Sequence, residues 1–393
     1  MTFVCFLWHI HQPPGDKRHL IEAASKSYQP LLGFYLESGL EASFNVTGVT
    51  VDQAVKLSLD FISHLRDGVS SGAVDLTASG FHHLILPLTP TWEVEEDIKL
   101  GLKIFKEVLD YTPEGFFPPE LAWSPFLADV LRKLGFRWVV VSDRVFRMAD
   151  PRCPEDEVFF PYWLEGVKGK HIVGVLQHYG ISQMLWEMYS GKKTIGDFVS
   201  ALEQYVLMEE RLKERYHPYA ATKSLIVVST DAELIGLRWK RGFEALSRIY
   251  ELAGDIPGLK LCSVKTALKN NMPKKAFYMP SGSWSHDARF TVWLGRPEND
   301  VINALIGEAR RRFELSHCLI LTLKSMNFKT DDAEQALREA LESLMLGEMS
   351  DGRGWDAAPE RRRFCYHHLL KSIEKSGEAL TKALEKCSRR MKI

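Results

Sequence analysis

The chain has 393 residues, of which 45% are hydrophobic, so it can bury the core of one large domain and of a smaller one. Its 50 lysines and arginines nearly balance 51 aspartates and glutamates, which favours neither nucleic acid nor an anionic membrane as partner. The six cysteines are scattered without metal-ligand or redox spacing, which favours free thiols in a reducing, cytoplasmic compartment. No apolar run is long enough to span a membrane.

Residues 2–10 are predicted to form the first strand and not a signal peptide, because no basic region precedes their apolar side chains. The strand ends at His9, His11 and Gln12, just before two prolines. In an extended chain His9 and His11 point to the same face. Such a pair can be half of a metal site, can hydrogen-bond a polar ligand, or can be two structural histidines. Because neither a matching aspartate nor a third histidine lies near them in the sequence, we expect no metal.

Strand-like runs alternate with helical patterns through residues 1–299, which we predict to be one domain. The strands begin near residues 2, 42, 74, 115, 138, 171, 225 and 260, and helices are expected at 25–40, 51–65, 93–109, 126–134, 198–214 and 243–252. This alternation predicts a parallel sheet of βα units, and seven or eight strands fit an α/β barrel better than a short open sheet. Three amphipathic helices, at 301–323, 331–346 and 360–384, predict a helical domain over residues 300–393.

Polar clusters follow several of these strands, where α/β barrels carry their active sites. His83 comes after the third strand. Glu120 follows two prolines and precedes Trp123, a setting that fixes the backbone and shields the acid from water. Acids in ordinary loops are solvated, so a shielded acid is the better candidate for catalysis.

The apolar run 225–228 is followed by Asp231, Glu233 and Gly236. If the strand continued, the two acids would share one face. The neighbouring charge of Glu233 is expected to raise the pKa of Asp231. The simpler interpretation is a polar strand-to-helix loop with an N-cap aspartate. In the helical region, the glycine-rich segment 347–356 contains Asp351 and Trp355, and it is either a functional loop or an ordinary connection between helices.

Taken together, five ordered stretches resemble glycoside hydrolase family 57, a group of amylolytic enzymes. The stretches are His11-Gln12-Pro13, His83 with Leu86-Pro87-Leu88, Glu120 in Pro-Pro-Glu-Leu-Ala-Trp, Asp231 in Asp-Ala-Glu-Leu-Ile-Gly, and Trp284 in Gly-Ser-Trp. The resemblance implies a (β/α)7-type barrel and a C-terminal helical bundle that contributes a loop to the active site. It also implies that Glu120 is the nucleophile and Asp231 the general acid/base.

The resemblance therefore implies a retaining hydrolase of α-1,4-glucans, of the α-amylase or amylopullulanase type, that works without a cofactor by double displacement. The expected substrate contacts are His9, His11, Gln12, His83, Glu233 and Asp351, with Trp123, Trp284 and Trp355 as sugar-stacking surfaces. The same catalytic pair would serve a 4-α-glucanotransferase or a branching enzyme, and an α-galactosidase is a further alternative. From other classes, the alternatives are a metal-dependent polysaccharide deacetylase that uses His9 and His11, and a non-catalytic glucan-binding protein.

Overall fold

The computed structural model describes residues 1–149, 159–215, 222–354 and 357–391. The chain divides into two compact units. The first contains Met1–Phe81 and Leu86–Arg289, and the second contains His82–Ile85 and Phe290–Ile393. The first unit is a sheet with surrounding helices, whereas helices dominate the second.

The strands of the first unit, within the described residues, form one sheet of ten. They are β1 (Thr2–Ile10), β2 (Ala42–Val46), β3 (Val74–Thr77), β4 (Gly115–Phe116), β5 (Trp138–Ser142), β6 (Tyr162–Glu165), β7 (His171–Gln177), β8 (Leu225–Asp231), β9 (Leu259–Leu261) and β10 (Ala276–Phe277). Seven of these, all except β6, β9 and β10, pair in parallel around a ring that β8 closes onto β1. A parallel bridge between Ala78 and Phe116 joins β3 to β4. The predicted (β/α)7-type barrel is confirmed.

Three strands lie outside the ring. β6 runs antiparallel to β7, and β10 extends β6 in parallel. β9, the strand predicted near residue 260, pairs with the first residues of β1. β6 and β10, of four and two residues, were not predicted from the sequence.

Helices pack around the barrel. Those of the first unit are α1 (Lys17–Ala23), α2 (Gln29–Ser38), α3 (Gly48–Lys56), α4 (Phe61–Ser71), α5 (Thr91–Leu109), α6 (Phe126–Lys133), α7 (Asp143–Ala149), α8 (Tyr179–Tyr189), α9 (Ile195–Arg215), α10 (Gly242–Gly254) and α11 (Val264–Leu268). A π-helical turn, Ala24–Tyr28, connects α1 to α2. The single helix expected at 51–65 is wrong, because the left-handed backbone of Ser58, with φ of 53°, lies between α3 and α4.

The second unit contains the three long helices that the sequence predicts. They are α13 (Pro297–Ser325), α14 (Asp331–Gly347) and α15 (Pro359–Met391), preceded by the short α12 (Thr291–Leu294). α13 buries Ile302, Ile306, Phe313 and Ile320 at helical spacing, and it packs against α14 and α15.

Two observations concern the predicted compartment. Among the described residues, no helix has both the length and the apolar character needed to cross a bilayer. Cys5, Cys262, Cys318, Cys365 and Cys387 are free thiols, and Cys153 lies outside the described residues. The cytoplasmic location stays a prediction.

Side chains of the barrel strands alternate between its two faces. On β1, Phe6 points outward, because its ring packs against Phe198 of α9 and Tyr250 of α10. The odd-numbered residues therefore point into the barrel, where Cys5 and Leu7 join a cluster with residues of β5, β7 and β8. The same alternation directs the last odd-numbered residues of β1 and β8 into the mouth at the carboxyl ends of the strands.

The start of α11 closes the opposite end of the barrel. The backbone N–H of Val264 donates to Oγ of Ser43 at 3.0 Å, and that of Lys265 donates to Oδ2 of Asp75 at 3.1 Å. Burial raises the pKa of Asp75 to about 6, although hydrogen bonds from Ser43 and the Lys265 backbone oppose this shift. The helix thus fixes a buried carboxyl group far from the mouth.

Candidate active site

The carboxyl end of β1 places His9 in the barrel mouth. The strand register sets His9 between Asn45 on β2 and Asp231 on β8, at the same level of the barrel. Nδ1 of His9 lies 2.7 Å from Oδ1 of Asn45, whose amide nitrogen donates to the carbonyl of Thr77 at 3.3 Å. Because Oδ1 of Asn45 is then an acceptor, Nδ1 of His9 carries the proton. The ring of His9 also stacks on Phe117, with centroids 5.3 Å apart, so its orientation is fixed from two sides.

His11 lies two residues after His9, just beyond the end of β1. Its Nδ1 lies 2.9 Å from Oγ1 of Thr47, which is itself 2.8 Å from Oγ1 of Thr50. The rings of His9 and His11 are neighbours, with centroids 6.1 Å apart. Both side chains are partly exposed, so a polar ligand in the mouth can reach them.

Glu120 has a backbone conformation that few residues other than glycine adopt. Its φ is 58°, and that of Leu121 is 45°, within a short 3-10 turn that follows Pro118. Each such non-glycine residue costs roughly 1–3 kcal/mol, and residues of this kind cluster at active sites. The N–H of Leu121 donates to the carbonyl of Pro118 at 2.9 Å, which closes the turn. The strained turn aims the Glu120 carboxylate in a direction that a regular strand or helix does not offer.

A hydrogen bond from Trp284 fixes this carboxylate. The indole Nε1 donates to Oε2 of Glu120 at 2.7 Å. Trp284 is partly buried and packs against the barrel cluster that includes Leu121. The side chain predicted as a stacking surface therefore also orients the predicted nucleophile.

The loop that carries Trp284 is attached to the barrel at several points. Trp123 and Gly282 exchange two backbone hydrogen bonds, of 2.8 and 3.0 Å. Nη1 of Arg144, at the start of α7, donates to two loop carbonyls, those of Ser285 at 3.3 Å and His286 at 3.1 Å. These bonds give Trp284 a defined position relative to Glu120.

Trp123 has a different role from the one predicted. Its side chain is 0% exposed, and its indole N–H donates to the carbonyl of Met279 at 3.1 Å. A buried ring offers no face to a sugar, so the interpretation of Trp123 as a stacking surface is wrong. It anchors the segment that leads to Trp284.

Asp231 and Glu233 lie in two different elements of secondary structure. β8 ends at Asp231, and a 3-10 turn, Ala232–Leu234, follows directly. The Asp231 side chain is exposed, whereas that of Glu233 is buried. The condition for both acids to share one face, a strand that continues past Asp231, is not met, because the strand stops at the first acid.

Glu233 is held by two donors inside the protein. The hydroxyl of Tyr28 and Nε2 of Gln12 both donate to Oε1 of Glu233, and Nε2 of Gln12 also donates to the Tyr28 oxygen at 2.9 Å. Gln12 and Glu233 are both buried and bind each other. The prediction that they contact substrate directly is therefore corrected: they form a buried network behind the mouth.

The network contains a carboxyl group that titrates near neutral pH. Burial, followed by the negative charge of Asp231, raises the pKa of Glu233 to about 7. Hydrogen bonds from Tyr28 and Gln12 oppose this shift. The charge of Asp231 thus acts on Glu233, and the predicted effect of Glu233 on Asp231 stays a prediction.

His83 and Asp351 belong to the second unit. Nδ1 of His83 lies 2.7 Å from Oγ of Ser350, and the Ser350 N–H donates to the His83 carbonyl at 2.9 Å. Asp351 follows in a 3-10 turn, with Oδ1 at 3.7 Å from Nη1 of Arg361. Trp355 lies outside the described residues. The substrate-binding roles of these three residues stay predictions.

An ion pair and a hydrogen bond from an arginine hold this segment within the second unit. Nη2 of Arg310 contacts both carboxylate oxygens of Glu348, at 2.8 and 2.7 Å. Nη2 of Arg353 donates to the Glu348 carbonyl at 2.6 Å. Because Glu348 and Arg353 are buried, breaking these contacts would leave uncompensated charge. These contacts fix the start of the segment, and its functional role stays a prediction.

Four residues that shape the first unit's site were not predicted from the sequence: Tyr28, Asn45, Phe117 and Arg144. Asn45 gave a usable signal, because it is a polar residue at the end of a predicted strand. Tyr28 gave none, since it lies inside a helical pattern. Its role depends on a contact with a residue 205 positions away.

Comparison with known proteins identifies the family. Residues 5–280 match the sequence model described as Glycosyl hydrolase family 57. The chain belongs to glycosyl hydrolase family 57. The matched region contains the barrel of this family 57 chain from Cys5 onward, together with Glu120 and Asp231.

Two relatives of the family 57 chain are described as α-amylases. The alpha-amylase of Pyrococcus abyssi is 31% identical over 159 residues, which are 40% of this chain and 24% of that protein. The putative alpha-amylase of Methanocaldococcus jannaschii is 30% identical over 294 residues, covering 71% of this chain and 58% of that protein. The chain thus spans 24% and 58% of the length of these relatives.

Solved structures show the same fold at low identity. The GH57-type branching enzyme from Pyrococcus horikoshii has a TM-score of 0.73 and 17% identity, covering 97% of this chain and 94% of that one. The 4-alpha-glucanotransferase from Thermococcus litoralis has a TM-score of 0.70 and 18% identity, covering 94% of this chain and 59% of that one. These likenesses agree with the barrel and helices described for this family 57 chain.

Proposed function

We propose that this protein is a retaining glycoside hydrolase that cleaves α-1,4-glucans, with Glu120 as the nucleophile and Asp231 as the general acid/base. The observation that carries the proposal is the strained backbone of Glu120, whose carboxylate is oriented by the Trp284 indole. Asp231 supports it, because this acid is exposed at the carboxyl end of β8. Family membership and the α-amylase relatives support the substrate class.

In the first displacement the Glu120 carboxylate attacks the anomeric carbon, and the bond from that carbon to the glycosidic oxygen breaks. Asp231 donates its proton to the departing oxygen. The product is a covalent glucosyl ester of Glu120. This geometry requires carboxyl groups about 5 to 5.5 Å apart when substrate is bound.

In the second displacement Asp231, now ionised, takes a proton from water while the water oxygen attacks the anomeric carbon. The ester bond to Glu120 breaks, and its carboxylate is restored. Two inversions at one carbon retain the α configuration. If the hydroxyl of a second glucan replaces water, the same residues perform the transfer of a glucanotransferase or a branching enzyme.

Substrate binding in the first unit is assigned to groups that are partly exposed. His9 and His11 are held through Nδ1 and are partly exposed, and they are the proposed hydrogen-bond partners of glucose hydroxyls. Trp284 offers an aromatic ring beside the nucleophile, and sugars stack on such rings through their apolar faces.

The test is incubation of the purified protein with maltoheptaose, starch and pullulan, followed by chromatography of the products. Shorter oligosaccharides only, with the α anomer formed first by NMR, are the expected result. Ladders that include chains longer than the substrate would show transfer or branching. No reaction with any glucan, together with release of galactose from an α-galactoside or of acetate from an acetylated polysaccharide, would overturn the proposal.

A further inference from the structure

The segment that follows Asp231 is fastened to the π-helical turn Ala24–Tyr28. Oγ of Ser27 donates to the carbonyl of Ala232 at 2.6 Å. The next residue of the turn, Tyr28, donates to the carboxylate of Glu233. Two consecutive residues of the turn thus bind two consecutive residues of the segment. Such π-helical turns often occur at functional sites.

A third contact completes this attachment. Gly236 has φ of 85°, and a Cβ at this position would lie 2.1 Å from the carbonyl oxygen of Lys26. The two backbones can approach this closely only because residue 236 has no side chain. The π-helical turn therefore contacts the segment at three positions, all within the five residues after Asp231.

We propose that Tyr28 and Glu233 are positioning residues for Asp231, which hold the turn after β8 so that the Asp231 carboxyl delivers its proton to the departing oxygen. This inference rests on the proposed function of Asp231. Glu233 does not itself contact the substrate, because it is buried and its Oε1 accepts from Tyr28 and Gln12. Asp231 has extended backbone and directly precedes the fastened turn, so the direction of its side chain depends on where the turn is held.

The groups that face Glu233 come from three elements. Tyr28 faces it from the π-helical turn, Gln12 from the end of β1, and Asp231 from β8. The charge of Asp231 is, after burial, the second cause of the raised pKa of Glu233. The network thus couples the position of the acid/base to a titration near neutral pH.

Two substrates whose leaving groups differ in basicity can distinguish a residue that positions the acid from one that only supports the structure. Maltoheptaose needs a proton on its departing oxygen, whereas fluoride leaves α-maltosyl fluoride without one. The value of kcat/KM reports the first displacement for both. We expect Glu233→Ala to lower kcat/KM on maltoheptaose by about a hundredfold, the scale of general acid catalysis, and to change the fluoride reaction little. Tyr28→Phe should lower the maltoheptaose value by about tenfold, the effect of one hydrogen bond.

Glu233→Gln separates charge from geometry. Its amide oxygen accepts the same two hydrogen bonds, so kcat/KM on maltoheptaose should stay within about tenfold of the wild type. Its pH profile should lack the change near pH 7 that the Glu233 carboxyl contributes. The matched control is Tyr35→Phe, which removes a buried hydroxyl bonded to Trp8 and Tyr250 elsewhere in the same unit. It should affect both substrates equally.

Equal losses on both substrates in Glu233→Ala and Tyr28→Phe, or no loss on either, would overturn the inference. If Glu233→Ala does not fold, Tyr28→Phe makes the same comparison. Asp231→Asn distinguishes this failure from that of the proposed function. If only Asp231→Asn loses more kcat/KM on maltoheptaose than on α-maltosyl fluoride, the positioning inference alone fails. If Asp231→Asn loses equally on both substrates, the acid/base assignment fails.

Discussion

The indole N–H of Trp284 donates a 2.7 Å hydrogen bond to the carboxylate of Glu120, across 164 positions of sequence. The acceptor lies on a strained turn after β4, and the donor lies on a loop that Arg144 binds from α7. Since each partner is fixed by its own contacts, the bond defines the direction of the carboxylate before substrate arrives. Such preorganisation is what a nucleophile at the anomeric carbon requires.

We predict that Trp284→Phe lowers kcat/KM on maltoheptaose by about ten- to a hundredfold. A hydrogen bond to a charged group contributes about 1.5–3 kcal/mol, and phenylalanine keeps the ring while it removes the donor. Trp163→Phe is the matched control, because Trp163 packs partly buried against the same cluster. Equal losses in the two variants would show that the Trp284 indole N–H has no special role.

We predict that Glu120→Gln and Asp231→Asn each lower activity on maltoheptaose roughly a thousandfold or more while the protein stays folded. The two should differ on α-maltosyl fluoride: Glu120→Gln lacks the nucleophile and fails, whereas Asp231→Asn still forms the intermediate. Circular dichroism checks folding, and a burst of fluoride release measures the intermediate. Full activity in either folded variant would contradict the role assigned to that residue.

Because the backbone of Glu120 is strained, we predict that glycine at this position gives a more stable protein than another non-glycine residue does. Left-handed backbone costs a non-glycine residue roughly 1–2 kcal/mol, and glycine loses part of this advantage because its unfolded chain is more flexible. The free energy of unfolding of Glu120→Gly should therefore be about 1 kcal/mol higher than that of Glu120→Ala. Glu96 is an exposed residue inside α5, where glycine weakens the helix. There the free energy of unfolding of Glu96→Gly should be about 1 kcal/mol lower than that of Glu96→Ala. Urea denaturation of the four variants measures both differences. The same order at both positions would contradict strain at Glu120.

The sequence predicts the barrel well because strand and helix periodicities are local properties. All eight predicted strand starts correspond to strands, and the three long C-terminal helices are found where expected. The errors are two short strands outside the ring, β6 and β10, and one interrupted helix. β10 has two residues, and Ser58 divides an apparently continuous helix by its backbone conformation.

For the site, the sequence selects candidate residues but not the contacts that they make. Acids at strand ends are visible in the sequence, so Glu120 and Asp231 stand out. What decides the other roles is contact between distant residues: Gln12 meets Glu233 across 221 positions, and both become buried partners. Trp123 and Trp284 look alike in sequence, and only the tertiary structure separates the buried anchor from the residue beside the nucleophile.

Asp75 predicts a pH dependence of stability. Burial raises its pKa from 3.8 to about 6 in the folded protein, so the folded state binds this proton more tightly than the unfolded state. Its contribution to stability is therefore full below about pH 4 and is lost as the pH rises through about 6. Asp75→Asn keeps an acceptor for Ser43 and does not titrate. Its free energy of unfolding should rise, relative to wild type, by up to about 3 kcal/mol from about pH 4 to about pH 7.

Urea denaturation of both proteins across this pH range tests the expectation. Other raised carboxyl groups, such as Asp143 with a pKa of about 6, are present in both proteins and cancel in the difference. A difference that does not change with pH would show that Asp75 ionises as readily in the folded protein as in the unfolded chain.

Gly39 and Gly236 have similar backbone conformations and different surroundings. Gly39, at the end of α2, has φ of 68°, and a Cβ there would meet nothing within 4 Å. Gly236 has φ of 85°, and its Cβ would overlap the carbonyl oxygen of Lys26 at 2.1 Å.

Gly39→Ala should therefore lower the free energy of unfolding by about 1–2 kcal/mol, the cost of left-handed backbone, and leave activity unchanged. Gly236→Ala should lower it by roughly a further 1–3 kcal/mol, as overpacking does, and should displace the turn after Asp231 from its support. Its kcat/KM should then fall on maltoheptaose more than on α-maltosyl fluoride. Equal stability and activity in the two variants would mean that the close approach of residues 26 and 236 does not hold the acid/base in place.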